Sequence, residues 1–327
     1  MTPPRFWQTP RSAPGLLPRL LAPAAAIWEH RARQRIARAP LFRASVPVIC
    51  VGNLTVGGAG KTPVVMALLE RLAERAPHVV SRGYGGRLEG PVAVDIAGHD
   101  AADVGDEPLL LAALAPTWVA KARAWAVEAA EAAGAGVILM DDGFQNPDVA
   151  KTLSFLVVDA ETGFGNGRIV PAGPLREALK PGLARADLLI TLGPDRAQDA
   201  LAATWPEIEG TPRLRAHLAP LAMGVPWQGR RVLAFAGIGR PEKFFATLRA
   251  EGAEVAATHS FGDHAPYSHQ ILERLSREAK ALGAQLVTTE KDAARLPKAF
   301  RPSVQVLPVR LRSADWSPLE AALAPLF

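Results

Sequence analysis

A glycine-rich turn that follows an apolar run most constrains how this chain can fold. The apolar run covers residues 46–52, and the turn ends in Gly60, Lys61 and Thr62. Glycines allow successive backbone N–H groups to converge on phosphate oxygens, and the positive end of a following helix strengthens that attraction. The segment therefore predicts a strand, a phosphate-binding loop and a helix, with Lys61 on the nucleotide phosphates and Thr62 on Mg²⁺.

The loop departs from the usual phosphate-loop pattern at its first position, where Thr55 replaces glycine. The glycines nearest the lysine are kept, and residues 63–72 repeat apolar side chains at helical spacing. A glycine-rich surface turn without a ligand is the alternative. The predicted nucleotide-binding residues are Thr55, Val56, Gly57, Gly58, Ala59, Gly60, Lys61 and Thr62.

The composition indicates a folded globular protein with a large core. The chain has 327 residues, of which 49% are hydrophobic and 21% are charged, and this length favours two domains. Its single cysteine, Cys50, lies in the predicted first strand, so we expect no disulfide framework and a buried, inert thiol. No apolar run approaches the roughly 18 residues needed to cross a bilayer, and no spacing of Cys and His indicates a structural zinc site.

Positive charge is concentrated at the N-terminus. The net charge is +5, yet residues 1–43 alone carry eight arginines and one acidic residue, so the rest of the chain is slightly acidic. We therefore do not expect the rest of the chain to have a basic surface that would bind a nucleic-acid backbone.

Apolar residues recur at about helical spacing between Leu16 and Trp28. This spacing predicts a basic amphipathic helix at a membrane surface within residues 1–40, kinked or divided by Pro18 and Pro23. The alternative is a first helix that packs on the domain, with its arginines in solvent.

Apolar strands alternate with helical segments over residues 41–225. This alternation predicts an α/β fold, a doubly wound, mostly parallel sheet that forms a P-loop kinase type of domain with its active edge at the carboxyl ends of the strands. A second, smaller α/β domain is predicted over residues 226–327. Its expected elements are a strand that starts at Val232, a helix at 241–250 and a strand at 285–289.

Two pairs of acidic residues are candidates for metal and proton chemistry. Asp141 and Asp142 end an apolar strand, where carboxylates are costly unless a cation or hydrogen bonds compensate them. Such an acid usually lies near the phosphate loop, so Asp141 or Asp142 is the natural partner of Thr62 for Mg²⁺. A plain Asp-Gly turn is the alternative. Asp106 and Glu107 precede an apolar helix, where an N-cap role alone would explain one of them.

Two further loops carry polar candidates. The loop of residues 163–177 is rich in Gly and Pro, and its Arg168 and Arg176 can present cations to an anionic ligand, although it reads equally well as a plain connector. His264 stands next to Asp263 in a loop of the predicted second domain, which makes it a candidate for proton transfer.

Seven motifs, in this order, resemble those of the tetraacyldisaccharide 4′-kinase family, the lipid A pathway kinases of Gram-negative bacteria. The motifs are residues 52–63, 81–86, 105–108, 141–145, 163–177, 235–239 and 289–292. The similarity runs from about residue 15 to residue 296. Asn146 and Ala265 stand where the family commonly has histidine, so we do not take either as a functional residue.

The resemblance implies an ATP- and Mg²⁺-dependent lipid kinase. Its reaction moves the γ-phosphoryl group of ATP to the 4′-hydroxyl of a tetraacylated glucosamine disaccharide 1-phosphate. It implies Asp106 as the base, His264 as its support across the cleft between the domains, and Lys61 on the nucleotide. The implied metal ligands are Thr62, Glu107, Asp141 and Asp142, and the candidate acceptor-binding residues are Arg82, Gln145, Arg168 and Arg176.

The resemblance also implies a peripheral or monotopic protein on the cytoplasmic face of the inner membrane of a Gram-negative bacterium. The N-terminal segment would contact the membrane, and no nucleic acid and no obligate protein partner are expected. One alternative is a membrane-associated switch ATPase of the partition type, but that group has an extra lysine before the two glycines, where this chain has Val56. A kinase of a small soluble metabolite is the other, and it leaves the basic N-terminus without a purpose.

Overall fold

The computed structural model describes residues 4–222, 224 and 226–327, and two β-sheets organise this part of the chain. The strands are β1 (Val48–Gly52), β2 (Pro77–Ser81), β3 (Val92–Ala93), β4 (Thr117–Val119), β5 (Val137–Asp141), β6 (Leu153–Asp159), β7 (Leu188–Leu192), β8 (Arg213–Pro220), β9 (Arg231–Ala236), β10 (Glu254–Ser260), β11 (Gln285–Thr289), β12 (Val304–Leu307) and β13 (Val309–Arg312). The α-helices are α1 (Leu16–Leu20), α2 (Ala22–Ile36), α3 (Lys61–Arg71), α4 (Ala101–Val104), α5 (Asp106–Ala112), α6 (Arg123–Ala132), α7 (Leu179–Leu183), α8 (Asp195–Thr204), α9 (Pro241–Ala250), α10 (His269–Leu282), α11 (Glu290–Arg295) and α12 (Ser317–Leu323).

The larger sheet has nine strands in the order β13-β8-β7-β6-β1-β5-β2-β4-β3. Its strands from β8 to β4 pair in parallel, and the antiparallel pairs are the outer ones, β13 with β8 and β3 with β4. The mostly parallel, doubly wound α/β fold predicted from the alternation of strands and helices is confirmed. Helices cover both faces, as a parallel sheet requires.

The central strand β1 explains why the sequence folds in this way. Its five residues are all buried, and they alternate between two apolar clusters: Val48 and Cys50 face one cluster, and Ile49 and Val51 face the other. One cluster packs α3 and α12 on the sheet, and the other packs α6, α7 and α8. Burial raises the pKa of the Cys50 thiol to about 11, which agrees with an inert core cysteine.

The smaller sheet has four parallel strands in the order β10-β9-β11-β12. Helix α9 and strand β11 have the bounds that the sequence predicted, whereas β10, α10 and β12 were not predicted. The chain then returns to the larger sheet: β13 pairs with β8, and Leu319 of α12 is buried in the cluster that contains α3. We call the four-stranded sheet with α9, α10 and α11, residues 231–307, the smaller domain, so the predicted span 226–327 is too long at its C-terminal end. Residue 225, the predicted end of the first domain, lies outside the described residues.

The N-terminal segment forms two helices, α1 and α2, that meet at Leu21. One side packs on the protein, because Ala25 and Ala32 are buried and the indole N–H of Trp28 donates to the carbonyl oxygen of Arg176 at 3.1 Å. The other side exposes large apolar residues: Leu16, Leu17, Leu20 and Ile27. Residues 1–3 of the predicted segment lie outside the described part of the chain, and contact with a membrane stays a prediction. Among the described helices, none has both the length and the hydropathy to cross a bilayer.

Candidate functional site

The glycine-rich turn forms an open loop between β1 and the first turn of α3. Gly57 and Gly60 have φ angles of +110° and +88°, which glycine adopts at little cost. A Cβ atom added at Gly57 or Gly58 would meet no atom within 4 Å, so a ligand has access to this side of the loop. The φ angle of Gly60 would strain any other residue where the helix begins, and an added Cβ atom would also displace Cδ1 of Leu192, which would lie 2.4 Å away.

Lys61 points back across the loop towards two side chains. Its Nζ donates to Oδ1 of Asn53 at 3.3 Å and lies 3.5 Å from Oδ1 of Asp142. The amide of Asn53 in turn donates to the carbonyl oxygens of Thr55 and Gly57, at 2.8 and 3.3 Å. Asn53 therefore holds the phosphate loop in place through hydrogen bonds to its backbone. This role was not predicted, although Asn53 belongs to the first of the seven motifs.

The acidic pair at the end of β5 lies beside the loop. Strand β5 pairs directly with β1, and Asp141 stands opposite Val51. Asp141 is 1% exposed, and among the described residues neither of its carboxylate oxygens has a hydrogen-bond partner. The pKa of Asp141 is raised to about 7: burial is the largest cause, the charges of Glu107 and Asp142 add to it, and the charge of Lys61 opposes it. The described part of the chain thus contains a buried carboxylate to which no group donates a hydrogen bond.

Asp142 has a different environment. Arg176 lies 3.1 Å from its Oδ1, and Lys61 approaches the same oxygen. Burial alone would raise the pKa of Asp142, but the charges of Lys61 and Arg176 outweigh it, so this pKa lies below its ordinary value. Asp142 also has a φ angle of +50°, an uncommon conformation for a residue other than glycine, and such conformations cluster at functional sites.

These residues fit a Mg²⁺ ion. The oxygens of Asp141, which have no hydrogen-bond partner among the described residues, are hard ligands of the kind that Mg²⁺ prefers, and Thr62 in the first turn of α3 supplies a hydroxyl at the end of the phosphate loop. In the described part of the chain, no three His, Cys, Asp or Glu side chains converge as a ready-made metal site. Mg²⁺ usually binds one or two carboxylates together with waters and substrate phosphates, so a site completed by a nucleotide is consistent with this geometry.

The second acidic pair starts α5 and meets the smaller domain. Nδ1 of His264 lies 3.0 Å from Oδ2 of Asp106, and Nζ of Lys291 lies 3.2 Å from Oε1 of Glu107. Burial alone would raise the pKa of Asp106, but the hydrogen bond with His264 and the charges of Lys291 and Arg295 hold it below its ordinary value. The structure therefore brings the predicted candidates Asp106, Glu107 and His264 close together. It also pairs Glu107 with Lys291, which was not predicted.

A buried network supports this contact from the smaller domain. Asp292 accepts hydrogen bonds from the hydroxyl of Tyr267 at 2.7 Å and from the backbone N–H of Gly237 at 2.9 Å, and it pairs with Arg295. Nε of Arg295 lies 3.6 Å from Oδ2 of Asp106. The sequence analysis assigned no role to Lys291 or Arg295. Lys291 and Asp292 belong to the last of the seven motifs, whereas nothing in the sequence marked Arg295.

The four candidate acceptor-binding residues differ in their placement. Arg176 forms an ion pair with Asp142 beside the phosphate loop. Gln145 is buried and donates to the carbonyl oxygen of Asn53 at 3.0 Å and to Glu177 at 2.9 Å, so it holds two loops together. Arg82 is exposed and Arg168 is partly buried, and among the described residues no side-chain hydrogen bond or ion pair joins either of them to this cluster.

Ion pairs also join the two domains on the other side of the phosphate loop. Arg240 and Lys243 of α9 reach Oε2 of Glu161 at 2.8 and 2.7 Å, and both also pair with Asp159. Asp159 ends β6, the strand next to β1 on the side away from β5. The smaller domain is therefore held by charged contacts on both sides of the loop.

Comparison with known proteins identifies relatives along the whole chain. The profile of the LpxK family, described as Tetraacyldisaccharide-1-P 4'-kinase, matches residues 17–327. The chain is 58% identical to the tetraacyldisaccharide 4'-kinase of Dinoroseobacter shibae, over 100% of this chain and 98% of that protein. It is 50% identical to the tetraacyldisaccharide 4'-kinase of Jannaschia sp., over 99% and 98%. A crystal structure of LpxK from Aquifex aeolicus in complex with ATP superposes with a TM-score of 0.76 at 27% identity, over 95% of this chain and 100% of that one.

Proposed function

The chain belongs to the tetraacyldisaccharide-1-P 4′-kinase family, and we propose that its phosphate loop, its two acidic pairs and the cleft between its domains carry out the phosphoryl transfer of that family. It is an ATP-dependent kinase of lipid A biosynthesis that acts on a lipid disaccharide. The names of the relatives do not support a partition-type switch ATPase or a kinase of a small soluble metabolite. The observation that carries our assignment of residues is the unpartnered Asp141 carboxylate next to an open phosphate loop.

Lys61 and the backbone N–H groups of residues 57–62 hold the phosphates of ATP. The open side of Gly57 and Gly58 supports this role, and so does the start of α3 at Lys61, because the first N–H groups of a helix have no partner within the helix. Lys61 also lies 3.5 Å from Oδ1 of Asp142. When ATP binds, its phosphates pair with Lys61 in place of Asp142.

Thr62, Asp141 and Asp142 are the residues that would hold Mg²⁺, with Glu107 as a further ligand if it leaves Lys291. When bound, Mg²⁺ neutralises charge on the transferred phosphoryl group. Asp141 is the best candidate, since a cation would satisfy both of its buried oxygens. Asp142 has Lys61 and Arg176 as partners already, so its link to a metal requires an exchange of partners.

Asp106 is the base. In the transfer, the acceptor hydroxyl oxygen bonds to the γ-phosphorus, the bond from that phosphorus to the ADP oxygen breaks, and the hydroxyl proton passes to Asp106. Because the pKa of Asp106 lies below its ordinary value, the carboxylate is ionised at neutral pH and ready to accept a proton. A weak base is sufficient, since the transition state of phosphoryl transfer is loose and depends mainly on placement and charge. His264 orients Asp106 from the smaller domain.

Arginines of the 163–177 loop bind the acceptor. The guanidinium of Arg176 lies beside Asp142, so Arg176 contacts the end of the disaccharide that carries the 4′-hydroxyl. Arg168 then binds the 1-phosphate at the opposite end. Arg82 and the amide of Gln145 remain candidates for the sugar, although Gln145 would first have to release Asn53 and Glu177. The loop also contacts the N-terminal helices, because the carbonyl oxygen of Arg176 accepts from Trp28.

The N-terminal helices hold the protein at the cytoplasmic face of the inner membrane. Exposed Leu16, Leu20 and Ile27 insert among the lipids, and the neighbouring arginines attract anionic headgroups. Contact between α2 and the 163–177 loop supports this proposal, since an acylated acceptor that rises from the membrane would reach Arg176 directly.

Transfer of label from γ-phosphate-labelled ATP tests the proposed residues. The protein is incubated with the lipid disaccharide 1-phosphate, with Mg²⁺ or with a chelator, and label is counted in the lipid and in free phosphate. We expect label in the lipid only with Mg²⁺, and a loss of that signal in Asp141→Ala. Full transfer by a folded Asp141→Ala protein would remove the basis of the assignment.

A further inference from the structure

We propose that Lys291 is a positioning residue of the reaction: it fixes His264 in the tautomer that carries its proton on Nδ1, so that His264 always donates to Asp106. This inference rests on the proposed role of Asp106 as the base. It assigns a purpose to a lysine of the smaller domain that contacts the acidic pair of the larger one.

The contact between Lys291 and His264 determines the tautomer. Nζ of Lys291 lies 3.2 Å from Nε2 of His264. An ammonium group has three donors and no acceptor, so this contact is a hydrogen bond only if Nε2 carries a lone pair. The ring proton is then on Nδ1, which lies 3.0 Å from Oδ2 of Asp106. The opposite tautomer would direct an N–H at the ammonium group and a lone pair at the carboxylate, and both contacts would be repulsive.

The position of Lys291 is well defined. Its ammonium group contacts Oε1 of Glu107 and Nε2 of His264, each at 3.2 Å, and Oδ1 of Asp263 lies 3.8 Å away as a further negative neighbour. The helix that carries it, α11, is anchored at the next residue, because Asp292 is fully buried and accepts from Gly237 and Tyr267. Lys291 is therefore a fixed donor, not a mobile surface cation.

A fixed tautomer has a direct consequence for the base. Oδ1 of Asp106 accepts the backbone N–H of Glu107 at 2.9 Å, and Oδ2 accepts from His264, so both oxygens are oriented and each retains a lone pair. An imidazole that exchanges tautomers would present a lone pair to the carboxylate part of the time, which would turn Asp106 away from the acceptor. Lys291 thus acts on the reacting atoms through His264.

A comparison of His264→Asn with His264→Gln tests the tautomer without changing Lys291. The amide of asparagine can place an N–H close to the position of Nδ1, whereas the amide of glutamine reaches the position of Nε2. We expect His264→Asn to retain about tenfold more kcat than His264→Gln, with similar KM values for ATP. Equal activity of the two variants, or a more active His264→Gln, would contradict the proposal.

A double-mutant cycle then tests Lys291 itself. Lys291→Met should lower kcat about tenfold in the wild-type background but less than about threefold in the His264→Asn background, because asparagine has no tautomer to fix. Lys291→Arg, which keeps a cationic donor, should restore much of the loss. Additive effects of Lys291→Met and His264→Asn would show that Lys291 acts only through Glu107 or through packing.

The nitrogen chemical shifts of His264 give a readout independent of activity. In the full-length protein labelled with nitrogen-15 at histidine, we expect His264 to show one neutral Nδ1–H form, and Lys291→Met to shift its two nitrogens towards a mixture of tautomers. Unchanged shifts would overturn the proposal. If Asp106→Asn keeps its turnover, the proposed base is wrong; if Asp106→Asn is inactive and the cycle is additive, only the role of Lys291 fails.

Discussion

Oδ2 of Asp106 lies 3.0 Å from Nδ1 of His264, although the two residues are 158 positions apart and belong to different domains. The proposed base and its proposed support therefore exist as a pair only while the smaller domain contacts α5. Contacts of Lys291 with Glu107 and of Arg295 with Asp106 hold the domains together at the same place. Separation of the smaller domain from α5 would therefore break the pair of Asp106 and His264.

Replacement of Lys61 tests the phosphate loop. Lys61→Ala should lower phosphoryl transfer on the order of 100-fold or more, because charge that develops in the transition state loses a fixed cation. The fold should survive, since Lys61 lies at the start of α3 and not in the core. Turnover is measured beside Lys280→Ala, an exposed lysine in the last turn of α10. Near wild-type turnover in a folded Lys61→Ala protein would rule out the nucleotide assignment.

Much of this phosphate site could be predicted from local sequence. Strand β1, the loop and α3 adjoin one another in the chain, and each is specified by its own pattern of apolar residues and glycines. The bounds of α9 and β11 were likewise predictable, because a proline starts α9 and a run of β-branched residues forms β11.

Contacts made across the fold could not be predicted. The four residues of β13 have no local signal that assigns them to the larger sheet, and only pairing with β8 does so. Lys291 and Arg295 lie four residues apart on one helix face, but their partners belong to another domain, so their spacing did not identify Asp106 or Glu107 as targets. Likewise, the two oxygens of Asp141 have no hydrogen-bond partner among the described residues, and this depends on side chains that are distant in the sequence.

The exposed apolar residues of α1 and α2 should bind membranes. Leu16→Glu with Leu20→Glu should reduce co-sedimentation with vesicles that contain anionic lipid, because it removes apolar insertion and adds repulsion from the headgroups. Added salt should weaken wild-type binding. Ile96→Glu, which changes another exposed apolar residue, in a loop of the larger domain, is the control. If the leucine variant binds as well as the control, the membrane contact lies elsewhere.

The ion pairs between α9 and the end of β6 should stabilise the contact between the two domains. Glu161→Gln removes one partner of both Arg240 and Lys243, so we expect kcat/KM for ATP to fall by about two- to fivefold, and the fall to shrink at high salt. Asp195→Asn breaks an exposed pair with Arg215 within one domain and should have no such effect. A wild-type kcat/KM in Glu161→Gln would mean that these ion pairs do not contribute to the contact between the domains that catalysis requires.

Burial of Asp141 should make the ligand-free protein less stable as the pH rises. Its pKa is about 7 in the folded state and near 3.8 when unfolded, so the folded state holds the extra proton between these values. The contribution of this group to the free energy of unfolding is fully present below about pH 4 and is lost as the pH rises through about 7. Thermal melts of wild type and Asp141→Asn in chelator, from pH 5 to 8, should show the variant gaining relative stability with pH. A pH-independent difference would contradict the raised pKa.

The last prediction separates the two acidic pairs. If Asp106 accepts the proton, Asp106→Asn should cut turnover but leave the affinity for Mg·ATP within about threefold, because a base acts on the transition state and not on ground-state binding. Asp141→Asn should behave differently: it weakens the proposed metal site, so its activity should recover in part at high Mg²⁺, whereas no concentration of Mg²⁺ replaces a missing base. Asp142→Asn should also respond to Mg²⁺, but less, because Lys61 and Arg176 already compensate this carboxylate. Titration of Mg²⁺ against turnover for the three variants decides between these roles, and a rescue of Asp106→Asn alone would make Asp106 the metal ligand.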